Sequence, residues 1–167
     1  MSALIRLATR SDVPALAALR RAWVEELAGG EVEDAAYEQE FAYWFDREQH
    51  QRVTWLALDG EQPVGMLNLL VFTRMPRPGR LVSRWGYLAN FFVLGTHRGA
   101  GIGTRLLDEC VAHADRHDFA RIVLSPSERS RSLYERCGFG PADSLLVRPG
   151  GRAGTDDLGP RDRDLRP

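Results

Sequence analysis

Lysine is absent from this chain of 167 residues, and all 22 of its basic side chains are arginine. That excludes a Schiff-base lysine and a P-loop lysine for nucleotide phosphates. Cysteine is scarce: Cys110 and Cys137 stand far apart, with no CxxC or CxxH partner. No disulfide framework or metal site is expected from them, and a reducing cytoplasm is the simplest compartment. No apolar run approaches the roughly 18 residues that cross a bilayer. The opening MSALIRLATR lacks a long apolar core and a small-residue cleavage site, so neither a membrane segment nor a secretory leader is expected. A net charge of −1 withholds the basic excess of nucleic-acid binders. What is present, 44% apolar and 27% charged residues, suits one soluble globular domain.

Charge is placed unevenly. From Glu25 to Glu48 nine acids (Glu25, Glu26, Glu31, Glu33, Asp34, Glu38, Glu40, Asp46, Glu48) face one arginine, Arg47. From Val71 to Arg84 there are four arginines (Arg74, Arg77, Arg80, Arg84) and no acid. Solvated helix and loop surfaces account for both stretches without a ligand.

Hydrophobic periodicity orders the elements. Ile5 to Thr9 alternates as a strand, and Ser11 or Asp12 can cap the helix that follows, with Pro14 in its first turn. Leu16, Leu19, Trp23 and Leu27 line one face of that helix, which Gly29-Gly30 ends. Asp34 opens a second helix carrying Tyr37, Phe41, Trp44 and Phe45 on one stripe. Val53–Leu58 and Val64–Phe72 form a hairpin about Asp59-Gly60. Arg74–Arg84 is a mobile loop, and Tyr87–Leu94 suits a buried central strand. A third helix runs through Ile102, Leu106, Leu107, Cys110, Val111 and Ala114. Arg121–Leu124 is a short strand, Glu128–Cys137 a short helix stopped by Gly138, and Leu145–Val147 a last strand. The expected fold is a mixed α/β (α+β) sheet with about four helices on its faces, forming one domain over 1–148. Residues 149–167 bury too little apolar surface to order and are expected to be a disordered tail.

The segment His97-Arg98-Gly99-Ala100-Gly101-Ile102-Gly103-Thr104 stands between a strand and an amphipathic helix. Glycines let the backbone turn sharply and converge its N–H groups, and the helix N-terminus adds donors and partial positive charge. The result is an anion site suited to a pyrophosphate, to which Arg98 can add a charged contact. A dinucleotide fingerprint fails because Thr104 stands where the third glycine belongs, and a Walker loop fails for want of lysine. A ligand-free glycine turn is the plain structural alternative.

Arg98-x-x-Gly101-x-Gly103 resembles the [Q/R]-x-x-G-x-[G/A] signature of the GNAT superfamily of N-acetyltransferases. Leu133-Tyr134-Glu135-Arg136-Cys137-Gly138-Phe139 resembles the family's LYxxxGF element, and Ile5-Arg6-Leu7-Ala8-Thr9 with Asp12 resembles its start. The resemblance runs from about Ile5 to Val147. It implies a mostly antiparallel sheet splayed between the fourth and fifth strands. It also implies acetyl-CoA as co-substrate, with the diphosphate on Arg98, Gly99, Ala100, Gly101, Ile102, Gly103 and Thr104 and the pantetheine arm along Phe92, Val93 and Leu94.

Further implications follow from the same resemblance. The backbone N–H of Val93 would polarise the thioester carbonyl, and Tyr134 would protonate the departing thiolate after direct attack by a primary amine. Asn90 stands where many relatives carry an acid, and it can orient acceptor or water without acting as a base. Ser127 replaces an asparagine common among relatives at a cofactor contact. One short strand after Phe139 leaves the usual C-terminal pairing, and a homodimer built from it, open. The helices and loop that frame the acceptor in this family include the acidic stretch, which would draw a cationic amine, against the opposing Arg74–Arg84 loop. His97 reads as a surface or phosphate contact. His113 and His117 stand four apart without a third ligand nearby. The rival reading is a catalytically inactive acyl-CoA sensor. The acceptor and the general base are not legible.

Overall fold

The chain folds, in a computed structural model that describes residues 3–148, around a sheet ordered β1-β2-β3-β4-β5. The strands are β1 (Leu4–Leu7), β2 (Arg52–Asp59), β3 (Gln62–Thr73), β4 (Arg84–Val93) and β5 (Phe119–Val123). The first four pair antiparallel with their neighbours, and β5 runs parallel to β4. A parallel pair needs a crossover, supplied by α3 (Ile102–Arg116). The helices α1 (Val13–Ala28) and α2 (Tyr37–Glu48) come between β1 and β2. This is the mixed sheet with helices that the sequence pattern implies, and it is mostly antiparallel, as the resemblance implies. It falls into two units divided after Leu124, the second containing α4 (Glu128–Arg136). Among the described residues no helix is long and apolar enough to cross a membrane.

Strand alternation sorts the core into two layers. Leu56, Met66 and Phe92 face Val13, Leu16 and Leu19 of α1 and Phe45 of α2. The adjacent residues Trp55, Leu67 and Leu69 point to the opposite face, where α3 brings Leu106, Leu107 and Cys110, all fully or nearly fully buried. β3 is buried without a break from Val64 to Leu69, so it is the strand covered on both faces. Tyr87–Leu94 was expected in that role, but β4 is buried only at intervals because β5 accompanies just its first half.

The start of the chain is held by a polar knot. Asp12 accepts two hydrogen bonds from the Arg6 guanidinium, each 2.7 Å, and one from the Thr9 backbone N–H at 2.8 Å. Asp12 therefore does not cap α1 by its side chain; it closes the turn before it. Inside the sheet, buried Asn68 accepts from Arg52 Nη1 at 2.9 Å and donates to Thr54 Oγ1 at 2.7 Å, which satisfies its amide.

One expectation is corrected. Leu145–Val147 is not a strand: Leu146 is 99% exposed and Val147 82%, and the segment pairs with no strand of the sheet. A run of three apolar residues does not stay extended without a partner strand. The tail expected over 149–167 lies outside the described residues.

The Arg6 hydrogen bonds, opposed by burial and aided by Thr9, hold the Asp12 carboxyl well below its usual value. With the folded value below the unfolded one, the carboxylate's contribution is complete above about pH 4 and is lost as pH falls further. Asp12→Asn is expected to cost about 1–3 kcal/mol at pH 7. Urea midpoints at pH 7, 5 and 3 should show the gap to wild type closing at acid pH. A gap independent of pH would contradict this role.

Candidate functional site

The site begins where β4 loses its neighbour. β5 matches β4 at Arg84, Gly86 and Tyr87, and ends at Val123, whereas β4 continues to Val93. On its other side β4 carries a bulge: Met66 pairs with Phe92 and Asn68 with Ala89, so Leu67 alone spans Asn90 and Phe91. Asn90 absorbs the extra residue at φ +50, a conformation asparagine tolerates better than most side chains. The splay between β4 and β5 is thus present.

Register then fixes where the polar groups of Val93 point. Leu94 N–H donates to Val64 O at 2.9 Å, which makes Val64 and Leu94 a hydrogen-bonded pair. Bonded pairs alternate in an antiparallel ladder, so Gly65 and Val93 form the unbonded pair between that one and Met66–Phe92. Both the N–H and the C=O of Val93 accordingly face the gap. The C=O accepts from Arg98 Nε at 2.9 Å.

The glycine segment follows directly. Gly95–His97 makes one 3-10 turn, Arg98 is extended, and Gly99 and Gly101 take φ of +79 and +77. An ideal Cβ at either glycine meets nothing within 4 Å, so space lies open before the turn. α3 starts at Ile102, and Arg105 N–H to Gly101 O, 3.1 Å, is its first helical bond. The N–H groups of Ile102, Gly103 and Thr104 therefore have no acceptor within the helix. Ile102 is buried and anchors this end to the core. Converging donors, the helix dipole and open space fit a diphosphate. Phe92, Val93, Leu94 and the stretch from Arg98 through Ala100 to Thr104 are thereby brought together.

Two residues of α1 that sequence reasoning placed on a helix face and in the acidic stretch, but not at a site, close on this edge. Trp23 stacks on Phe92 with ring centroids 5.8 Å apart and planes 12° from parallel. Glu26 Oε2 accepts from Arg98 Nη2 at 2.7 Å. Arg20 covers Trp23 and Arg98 covers Phe92, at 4.6 and 5.5 Å from the ring centroids. His97 meets Thr96 and Asp59 instead, its Nε2 lying 3.7 Å from Asp59 Oδ2.

Tyr134 and Ser127 belong to the second unit. Ser127 precedes α4, and its hydroxyl shares a 2.9 Å hydrogen bond with Ser130. At the other end the chain makes a Schellman cap: Phe139 N–H donates to Tyr134 O and Gly138 N–H to Glu135 O, both 3.1 Å. Gly138 sits at φ +85, and the Tyr134 and Phe139 rings meet edge-on at 5.8 Å. The LYxxxGF spacing is therefore the geometry of a helix end, with Tyr134 fixed by it.

The acidic stretch is largely answered from within. Glu26 pairs with Arg98, Glu38 with Arg21, Asp46 with Arg10 and Glu48 with Arg52. Glu25 accepts from Val32 N–H and Asp34 from Ala36 N–H. His113 packs edge-on against Trp55 and stacks on His117, and burial lowers its pKa. Among the described residues no cluster of three or more His, Cys, Asp or Glu is placed to hold a metal.

Known proteins share this fold. The sequence profile of the acetyltransferase (GNAT) family matches residues 16–139. The glucosamine 6-phosphate N-acetyltransferase of Trypanosoma brucei brucei is 30% identical over 76 residues, 46% of this chain and 50% of that protein. The match thus spans half the length of that relative. Among solved structures, a predicted acetyltransferase with acetyl-CoA from Clostridium acetobutylicum is 25% identical. It superposes with TM-score 0.70 over 87% of this chain and 95% of its own. A GCN5-related N-acetyltransferase from Ralstonia eutropha, also 25% identical, gives TM-score 0.67 over 87% and 97%. The glucosamine-6-phosphate N-acetyltransferase of Arabidopsis thaliana, at 16% identity and TM-score 0.66 over 89% and 98%, shares the fold.

The turn makes a prediction of its own. Gly101→Ala forces a left-handed alanine and is expected to cost about 1–2 kcal/mol in urea unfolding. Gly30→Ala, with open space and no positive φ, is the control and should be near neutral. Equal losses at both positions would show that the strain is not at the turn.

Proposed function

The chain belongs to the GNAT acetyltransferase family, and we propose that it moves an acetyl group from acetyl-CoA to a primary amine by direct attack in a ternary complex. One observation carries this reading: the left-handed pair Gly99 and Gly101, opening α3 beside the unaccompanied half of β4. The diphosphate would sit on the free N–H groups of the α3 start. The pantetheine arm would take the place of a strand along Phe92, Val93 and Leu94. The thioester oxygen then meets the Val93 N–H, a fixed dipole aimed where negative charge grows during attack.

In the step itself the amine nitrogen bonds to the acetyl carbon as the carbon–sulfur bond breaks. The amine gives its proton to water or to a base, and the thiolate takes one from the Tyr134 hydroxyl, which solvent restores. A phenol suits that task because it keeps its proton at neutral pH. Asn90, held on the bulge, would orient the acceptor. The internal pairing of the acidic stretch weakens the case for a cationic acceptor, so acceptor charge is left to a panel. The name of the half-length relative adds an amino-sugar phosphate to polyamines and amino acids on that panel.

Calorimetry with CoA and acetyl-CoA on folded protein tests the donor, and thiol release over the amine panel tests the transfer. Binding heat with no turnover on any amine would convert the reading into that of a sensor. Tyr134→Phe is expected to lower kcat roughly 100-fold with KM for acetyl-CoA nearly constant. Undiminished turnover would remove Tyr134 from the step.

A further inference from the structure

The Val93 carbonyl faces a gap that no strand fills, and a side chain answers it. Arg98 bends back so that Nε donates to Val93 O at 2.9 Å, and its Nη2 donates to Glu26 Oε2 at 2.7 Å. We propose that Glu26, in the last turn of α1, is a positioning residue for acetyl transfer, acting through Arg98 on the backbone of Val93. The inference rests on the reading above, in which the Val93 N–H receives the thioester oxygen. Both polar groups of Val93 lie on the same side of β4, so holding the carbonyl also constrains the direction of the N–H.

The geometry favours this strut over a simple phosphate contact for Arg98. Two of the three guanidinium nitrogens are already committed, one to backbone and one to carboxylate. The carboxylate is not a bystander: it fixes the plane of the guanidinium, which is what aims Nε at the carbonyl. The same turn of α1 holds the next residue too, since Trp23 stacks on Phe92 and the Arg98 guanidinium lies 5.5 Å from that ring's centroid. α1 thus grips the splayed half of β4 from its own face of the sheet and, through Arg98, at the edge that β5 leaves open. As a mere ion pair it would contribute little, because the two side chains keep 30% and 40% of their exposure. Its value is in orientation, and its signature belongs in turnover rather than in stability.

The test pairs a structural readout with a kinetic one. In the protein without substrate, amide exchange at Leu94, whose N–H is bonded to Val64 O, should quicken about fivefold in Glu26→Ala and in Arg98→Ala. The double variant should go no further than Arg98→Ala alone. In turnover, Glu26→Ala should lower kcat about fivefold at nearly constant KM for acetyl-CoA. Glu26→Gln, whose amide oxygen still accepts from Arg98, should retain most of kcat. The proposal is overturned by additive effects in the double variant, or by unchanged exchange and kcat in Glu26→Ala. A lower KM in Glu26→Ala would also overturn it, because the carboxylate would then be competing with the diphosphate for Arg98. If wild type gives no binding heat with CoA, the acetyl-transfer reading falls, and the exchange measurements still decide whether the strut exists.

Discussion

A strand inside a sheet normally has both of its edges satisfied, and β4 does not. Its first half is paired on both sides, and after Tyr87 it keeps only β3. A backbone group left without a partner away from water costs about 1–3 kcal/mol, so this edge must be answered from somewhere. The protein answers the Val93 carbonyl with Arg98 and braces Phe92 with Trp23. The Val93 N–H is left facing the gap, where an extended ligand can complete what β5 does not. The bulge at Asn90 occurs within this stretch, on the β3 side of the strand.

How much of this could be read beforehand depended on whether the signal was local. The glycine turn was legible because a left-handed backbone has few tolerable side chains, and Gly99 and Gly101 both take that conformation. The LYxxxGF element was legible for a similar reason: a glycine one residue past the C-cap lets Phe139 fold back on Tyr134. The bulge was not legible, since Asn90 merely permits a positive φ and the register against β3 demands it. The site contacts of Trp23 and Glu26 were out of reach because their partners lie some seventy positions away, and spacing along α1 marks Trp23 only as part of an apolar face. Leu145–Val147 failed in the opposite sense, its apolar run being real but pairing with no strand among the described residues.

Charge carries a related lesson. Counted along the sequence, Glu25 to Glu48 is an acidic block. Folded, most of it is paired at the surface with arginines from α1, β2 and the turns, or with backbone N–H groups. A field that looks strong in one dimension is thereby broken into short-range pairs, which steer a distant ligand far less than unpaired charges would.

The ion pairs among them are all built on guanidinium. Arginine stays protonated throughout the accessible pH range and offers no neutral nitrogen to an activated acyl group. A chain with 22 arginines and no lysine therefore carries no side-chain amine that its own family's chemistry could cap. Arg6, Arg21, Arg52 and Arg98 keep their charge, and the contacts that depend on it, however much acyl donor surrounds them.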